Sequence, residues 1–174
     1  MPQPNISPAT KADAEALSAL VNSAYRGEGS KKGWTTEADL LGGQRTDANA
    51  LNKMMAQQDS SILKYTDENG QITGCVYLHK KNEKLYLGML TVAPELQAKG
   101  VGKLLLAAAE QHAKARGCSA ITMTVISVRH ELIGWYERHG YQATGETEPF
   151  PADPEFGLPK QQLHFIVMEK SLTE

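Results

Sequence analysis

Cysteine is scarce: two in 174 residues cannot build a disulfide framework. Cys75 and Cys118 stand alone among apolar residues, with no C-x-x-C spacing and no histidine pattern nearby, so both read as buried thiols rather than as a bridge or zinc ligands. Charge of one sign is also missing. Lys plus Arg number 18 against 20 Asp plus Glu, a net of -2, so no global positive field draws the chain to nucleic acid or anionic lipid. No run approaches the roughly 18 apolar residues needed to span a bilayer. Met1 to Asn5 has neither the basic start nor the apolar stretch of a secretory signal. The expectation is a cytoplasmic protein with no membrane and no nucleic-acid partner. Internal repeats and low-complexity tracts are absent as well.

What is present is ordinary for a globular chain: 41% hydrophobic and 22% charged residues, at a length suited to one domain over 1–174. A short strand is expected at Gln3 to Ser7. Thr10, with Asp13 three residues on, offers an N-cap for a helix of about Lys11 to Ala24. The glycine-rich, charged stretch Arg26 to Trp34 suits a loop. Thr36 is read as capping a short helix through Leu41, and Leu51, Met54 and Met55 predict a helix over Asp47 to Gln57. From Ser61 to Val92, apolar runs separated by Glu68-Asn69-Gly70 and Lys81-Asn82-Glu83 predict three antiparallel strands. Val101 to Ala115, rich in Leu and Ala, predicts a long helix stopped by Gly117. Ala120 to Ile126 reads as a strand buried on both faces, followed by a helix from Glu131 to Arg138 that ends at Gly140. Strands at Tyr141 to Thr147 and Gln162 to Glu169 flank an irregular stretch, Glu148 to Pro159, holding four prolines.

The chemistry is concentrated where the strand Leu85 to Val92 feeds Ala93-Pro94-Glu95-Leu96, then Gln97-Ala98-Lys99-Gly100-Val101-Gly102-Lys103 and the long helix. Unpaired N–H groups and the positive end of a helix dipole, beside two glycines, make an anion cradle there. A nucleotide P-loop would need a glycine at Gln97 and a hydroxyl at Leu104, and a dinucleotide fingerprint would need a glycine at Leu105. The pattern that fits is [QR]-x-x-G-x-[GA], as Gln97-x-x-Gly100-x-Gly102. About 30 residues on, Trp135-Tyr136-Glu137-Arg138-His139-Gly140-Tyr141 approximates [FW]-Y-x-x-x-G-[FY] at a helix end.

With these two motifs in this order and spacing, the chain resembles the GNAT superfamily of N-acetyltransferases over about Pro4 to Glu169. The resemblance implies an α/β fold (an α+β mixed sheet), the GNAT acyl-CoA N-acyltransferase fold, with six to seven strands and about four helices. It implies acetyl-CoA as co-substrate, its pantetheine arm on Leu90, Thr91 and Val92 and its diphosphate on the backbone of Gln97, Ala98, Lys99, Gly100, Val101, Gly102 and Lys103. Lys103 reads equally as a phosphate contact or as a solvated lysine. Tyr136 matches the family tyrosine that protonates the departing thiolate; a phenol near pKa ~10 donating to a thiolate near ~8.5 is only mildly uphill. An asparagine common in the family near the pantetheine is Arg129 here, which cannot accept a hydrogen bond. Arg129 is read toward a phosphate or a carboxylate, and Ser127 or His130 toward the pantetheine.

The implied reaction is direct attack of a primary amine on the thioester, with no covalent enzyme intermediate and no metal. At pKa ~10.4 only about one alkyl amine in 2,500 is neutral at pH 7, equivalent to roughly 4.6 kcal/mol. Glu83, His130 and Glu131 are candidate bases, while His79, His112, His139 and His164 read as structural or exposed. The acceptor is expected to be a small-molecule amine held by Tyr25 to Arg45, with Trp34 in or near its pocket, and by Pro149 to Pro159; Arg45 with Arg129 would suit a carboxylated one. A non-catalytic acyl-CoA-binding sensor is the alternative, and family habit suggests a homodimer paired through C-terminal strands.

Overall fold

The computed structural model describes residues 5–25, 41–42, 46–93, 100–149, 158–159 and 164–172. The elements are β1 (Ile6–Pro8), a 3₁₀ turn (Lys11–Asp13), α1 (Ala14–Tyr25), β2 (Leu41–Gly42), α2 (Ala48–Ala56), β3 (Ser60–Thr66), β4 (Ile72–Lys81), β5 (Lys84–Val92), α3 (Val101–Ala115), β6 (Ala120–Ile126), α4 (His130–Arg138), β7 (Gln142–Pro149), β8 (Leu158–Pro159) and β9 (His164–Ser171). Seven of the strands form one mixed sheet in the order β1-β3-β4-β5-β6-β9-β7. Neighbours are antiparallel except β5 and β6, which run parallel and so need a crossover, supplied by α3.

Local chemistry fixes the boundaries. Thr10 N–H donates to Asp13 Oδ2 at 2.8 Å at the entry to the first helical segment, and Asp47 Oδ1 accepts from Ala50 N–H at 2.7 Å to start α2. Asn82, at φ 59, lets β4 turn into β5 in two residues. Gly117 (φ 73) and Gly140 (φ 96) end α3 and α4 as expected.

The sheet is covered on both faces. Helices α1 and α2 seat Leu17, Val21 and Leu51 on Ile62, Cys75, Tyr77 and Met89. On the other face α3 and α4 bury Leu105, Ala109, Leu132 and Tyr136 against Leu85, Leu87, Ile121, Met123 and Met168. Each fully buried leucine, such as Leu17, Leu85 or Leu105, contributes about 1.5–3 kcal/mol relative to exposure.

The strand β1 runs from Ile6 to Pro8; of the strand expected at Gln3 to Ser7, Gln3 and Pro4 lie outside the described residues. Leu41 belongs to a strand, paired with Pro159, and does not end a helix; Thr36 itself lies outside the described residues. The proline-rich stretch is less irregular than expected, since Glu148 and Pro149 continue β7 and Leu158–Pro159 form β8. In β6 only the side facing α3 is fully closed: Thr122 and Thr124 are half-buried on the other.

Candidate active site

The site is built where β5 and β6 part. Their ladder covers only Lys84–Ala120, Leu85–Ile121 and Tyr86–Thr122, after which the two separate, β5 continuing beside β4 to Val92 and β6 beside β9 to Ile126. On its other side β5 carries one extra residue against β4: Tyr77 faces Gly88 and Cys75 faces Thr91, so Met89 and Leu90 together oppose Val76. This is a β-bulge, with Met89 at φ 54. A left-handed non-glycine residue costs on the order of 1–3 kcal/mol, a strain that persists only where surrounding structure enforces it. The bulge reverses the strand's faces. Leu85 and Leu87 point toward α3, Met89 toward α1, and Leu90 and Val92 toward α3 again.

The gap between the parted strands is a wedge-shaped cavity of ≈ 120 Å³. Its walls are β5 from Tyr86 to Leu90 and β6 from Met123 to Ile126, and Arg129, Leu132 and Tyr136 of the α4 segment close its back. Those three recur at helical spacing, so one face of α4 looks into the wedge. Tyr136 is buried, its ring edge-on to Trp135 at 5.2 Å and to Tyr141 at 5.8 Å. Arg129 is only 9% exposed, a cation held at the wedge wall. Ser127 is half-buried and 3.4 Å from His164 Nδ1, whereas His130 and Glu131 are exposed on the first turn of α4 and line neither this wedge nor the cavity beneath α2. Leu90, Thr91 and Val92 are buried along the bulged end of β5.

Gln97, Ala98 and Lys99 lie outside the described residues, as do Arg26, Lys31, Lys32, Trp34 and Arg45. Gly100 is the N-cap of α3 at φ 91, with no atom of the described residues within 4 Å of where a Cβ would stand. Val101 is buried and Lys103 exposed. No acidic residue stands in the first turn of α3, so no side chain of the helix itself offsets its dipole there. Gly102 is needed for a different reason from Gly100: a Cβ at this position would sit 3.2 Å from the Trp135 ring. The two glycines thus do different jobs. One supplies a backbone conformation, and the other lets the motif helix α4 pack against the start of α3.

A second cavity, ≈ 650 Å³, lies on the opposite face beneath α2, lined by Thr46, Asp47, Asn49, Lys53, Tyr77 and Tyr86 among others. It shares Tyr86, Gly88 and Met89 with the wedge. The Tyr86 ring lies over Gly88, where a Cβ would come within 2.8 Å of it. Glu83 is exposed at the far turn of β5 and lines a third cavity of ≈ 740 Å³ along Thr122, Thr124 and Phe165. The sequence did not reveal the bulge or the second cavity. Their one signal was the three-residue step from Leu87 to Leu90, which breaks the alternation of a regular strand.

A sheet opened between two parallel strands, with a glycine-capped helix leaving one of them, defines an acyl-CoA N-acyltransferase architecture. The family model for the acetyltransferase (GNAT) family matches residues 15–141. The chain belongs to that family, and its general activity is acetyl-CoA-dependent N-acetylation. It is 28% identical over 144 residues to an uncharacterized N-acetyltransferase of Bacillus subtilis (strain 168), YhfO, covering 79% of this chain and 89% of that protein. Among solved structures, the ribosomal-protein-S18-alanine N-acetyltransferase of Escherichia coli superposes with a TM-score of 0.71 at 15% identity, over 97% of this chain and 94% of that one. A protein assigned as a streptothricin acetyltransferase of Bacillus anthracis str. Ames, solved in complex with acetyl coenzyme A, gives 0.58 at 22% identity over 70% and 68%. At these identities the structural likeness shows the fold alone.

Proposed function

We propose that the protein transfers the acetyl group of acetyl-CoA to a primary amine of a small molecule within a ternary complex. The observation that carries this is the pair of cavities meeting at Tyr86, Gly88 and Met89, one backed by Tyr136 and the other open beneath α2. Two reactants entering from opposite faces of the sheet meet at the bulge without passing one another. The pantetheine arm follows Leu90, Thr91 and Val92, and the diphosphate rests on the start of α3 from Gln97 to Lys103. Arg129 offers only donors, so in the wedge it faces carbonyl oxygens of the arm. Tyr136 returns a proton to the sulfur as it leaves. The strand β7, at one sheet edge and exposed from Gln142 to Glu148, supports pairing into a homodimer; the setting proposed is the cytoplasm.

Calorimetric titration with acetyl-CoA, followed by CoA release across a panel of amines, tests the reading. Tyr136→Phe should keep acetyl-CoA affinity and lower kcat on the order of 10²-fold. Binding with no turnover of any amine would assign the chain to acyl-CoA sensing instead, and absence of binding would remove the cofactor role of the wedge.

A further inference from the structure

We infer that Tyr77, Ser60 and His79 form a proton relay that takes the acceptor's ammonium proton from the cavity beneath α2 toward the end of the sheet where β4 turns into β5. This rests on the acetyl-transfer reading above. The observation is a continuous chain of hydrogen-bonding atoms. Tyr77 Oη is 3.1 Å from Ser60 Oγ, and Ser60 Oγ is 2.6 Å from His79 Nδ1. Tyr77 Oη also donates to Gln57 Oε1 at 2.8 Å, which anchors the phenol to the end of α2.

The two ends of this chain lie in different surroundings. Tyr77 lines the cavity, stands opposite Gly88 at the bulge, and places its ring 6.2 Å from that of Tyr86, where cavity and wedge meet. His79 is half-buried, two residues along the same strand and facing the same side, with its ring parallel to that of Tyr77. Sheet register accounts for the placement: Ser60 pairs with His79, and His79 with Tyr86, so the three share one face.

The chemistry needs such a path. An alkylammonium must lose a proton before its nitrogen can attack, and Glu83, His130 and Glu131 line neither the wedge nor the cavity beneath α2. When the phenolic O–H turns from Gln57 to Ser60, Tyr77 Oη takes the ammonium proton as its own passes to Ser60 Oγ. The serine proton passes to His79 Nδ1, and the imidazolium releases a proton to water. Both hydroxyls end as they began. The neutral amine then forms the C–N bond while the C–S bond breaks, and its second proton ends on the CoA sulfur. One proton is released per turnover, as acetylation of an ammonium requires.

Among the described residues, the titratable and charged groups on this side of the sheet around His79 and the cavity are Tyr77 and Lys81 on its own strand, Tyr86 and Lys84 on β5, Asp59 just before Ser60, Asp47 and Lys53 at α2, and Glu169, ion-paired with Lys84. Proton transfer through the relay requires Nδ1 to be the acceptor, so neutral His79 carries its proton on Nε2.

Long-range proton–nitrogen correlation on histidine-labelled protein reads that tautomer directly, and the resonance is assigned by its loss in His79→Gln. The expected result is an Nε2–H ring whose Nδ1 shift moves in Ser60→Ala; an Nδ1–H tautomer overturns the relay. With the best amine of the panel, Ser60→Ala and His79→Gln should each lower kcat/KM at pH 7 on the order of 10²-fold. They should also displace the acid limb of the pH profile, while acetyl-CoA affinity stays unchanged. Ser60→Ala is the gentler change should His79→Gln lose stability. A variant with a wild-type profile overturns the relay alone. No turnover of any amine by the wild type overturns the transfer reading, and the relay with it.

Discussion

Replacing Gly100 separates the two tasks assigned to the start of α3. At φ 91, an alanine enters a region that costs an L-residue on the order of 1–2 kcal/mol, yet its Cβ would meet nothing within 4 Å among the described residues. Part of that cost is offset by about 0.4–1 kcal/mol, because alanine restricts the unfolded chain. Gly100→Ala should therefore lose about 1 kcal/mol, a fall in Tm of about 2–4 °C for a chain of this size. Gly100→Asp tolerates the left-handed conformation better, so it should unfold closer to wild type. It also places a carboxylate where the diphosphate is proposed to rest, so acetyl-CoA affinity should fall more than tenfold, against less than threefold for alanine. Denaturant unfolding and calorimetric titration of both variants give the four values. An alanine variant of unchanged stability would refute the backbone account of Gly100. Equal losses of affinity in the two variants would refute the placement of the diphosphate.

Gly102→Val should destabilise by about 1–3 kcal/mol through overpacking against Trp135, and Trp135→Leu in the same chain should recover part of the loss on denaturant unfolding. The Tyr141 hydroxyl is buried without a hydrogen-bond partner among the described residues, and burial, then Glu110, push its pKa well above the usual phenol range. Tyr141→Phe should thus be neutral or stabilising by up to about 1 kcal/mol; a loss beyond that would mean the hydroxyl is satisfied. Burial, followed by the Arg116 charge, lowers the His112 pKa from 6.5 to about 4. The unfolded chain then binds a proton that the folded one refuses, so His112 contributes stability that is complete above pH 6.5 and is lost as pH falls toward 4. His112→Gln should flatten the stability curve over that window, as read by unfolding at stepped pH.

The sequence determined what depends on local period and punctuation. Helix α3 and strand β6 have the bounds their composition predicts, α2 fills the span between Asp47 and Gln57, and Asn82, Gly117 and Gly140 turn or end their elements where such residues must. Two spaced motifs also carried the family, because a glycine turn and an aromatic helix end are readable in one dimension. Tertiary structure decided the rest. A bulge is a mismatch between two strands, and the step from Leu87 to Leu90 in β5 hints at it without saying which residues of β4 it faces. Nothing in the order of residues says that β5 and β6 separate after Tyr86, or that Trp135 is the reason position 102 holds glycine. Ser60 lay just before the expected strands and His79 read as structural or exposed, and only antiparallel register set the two opposite each other beside Tyr77. Short-range preferences act within a few residues, whereas cavities arise from how distant segments fail to fill the space between them.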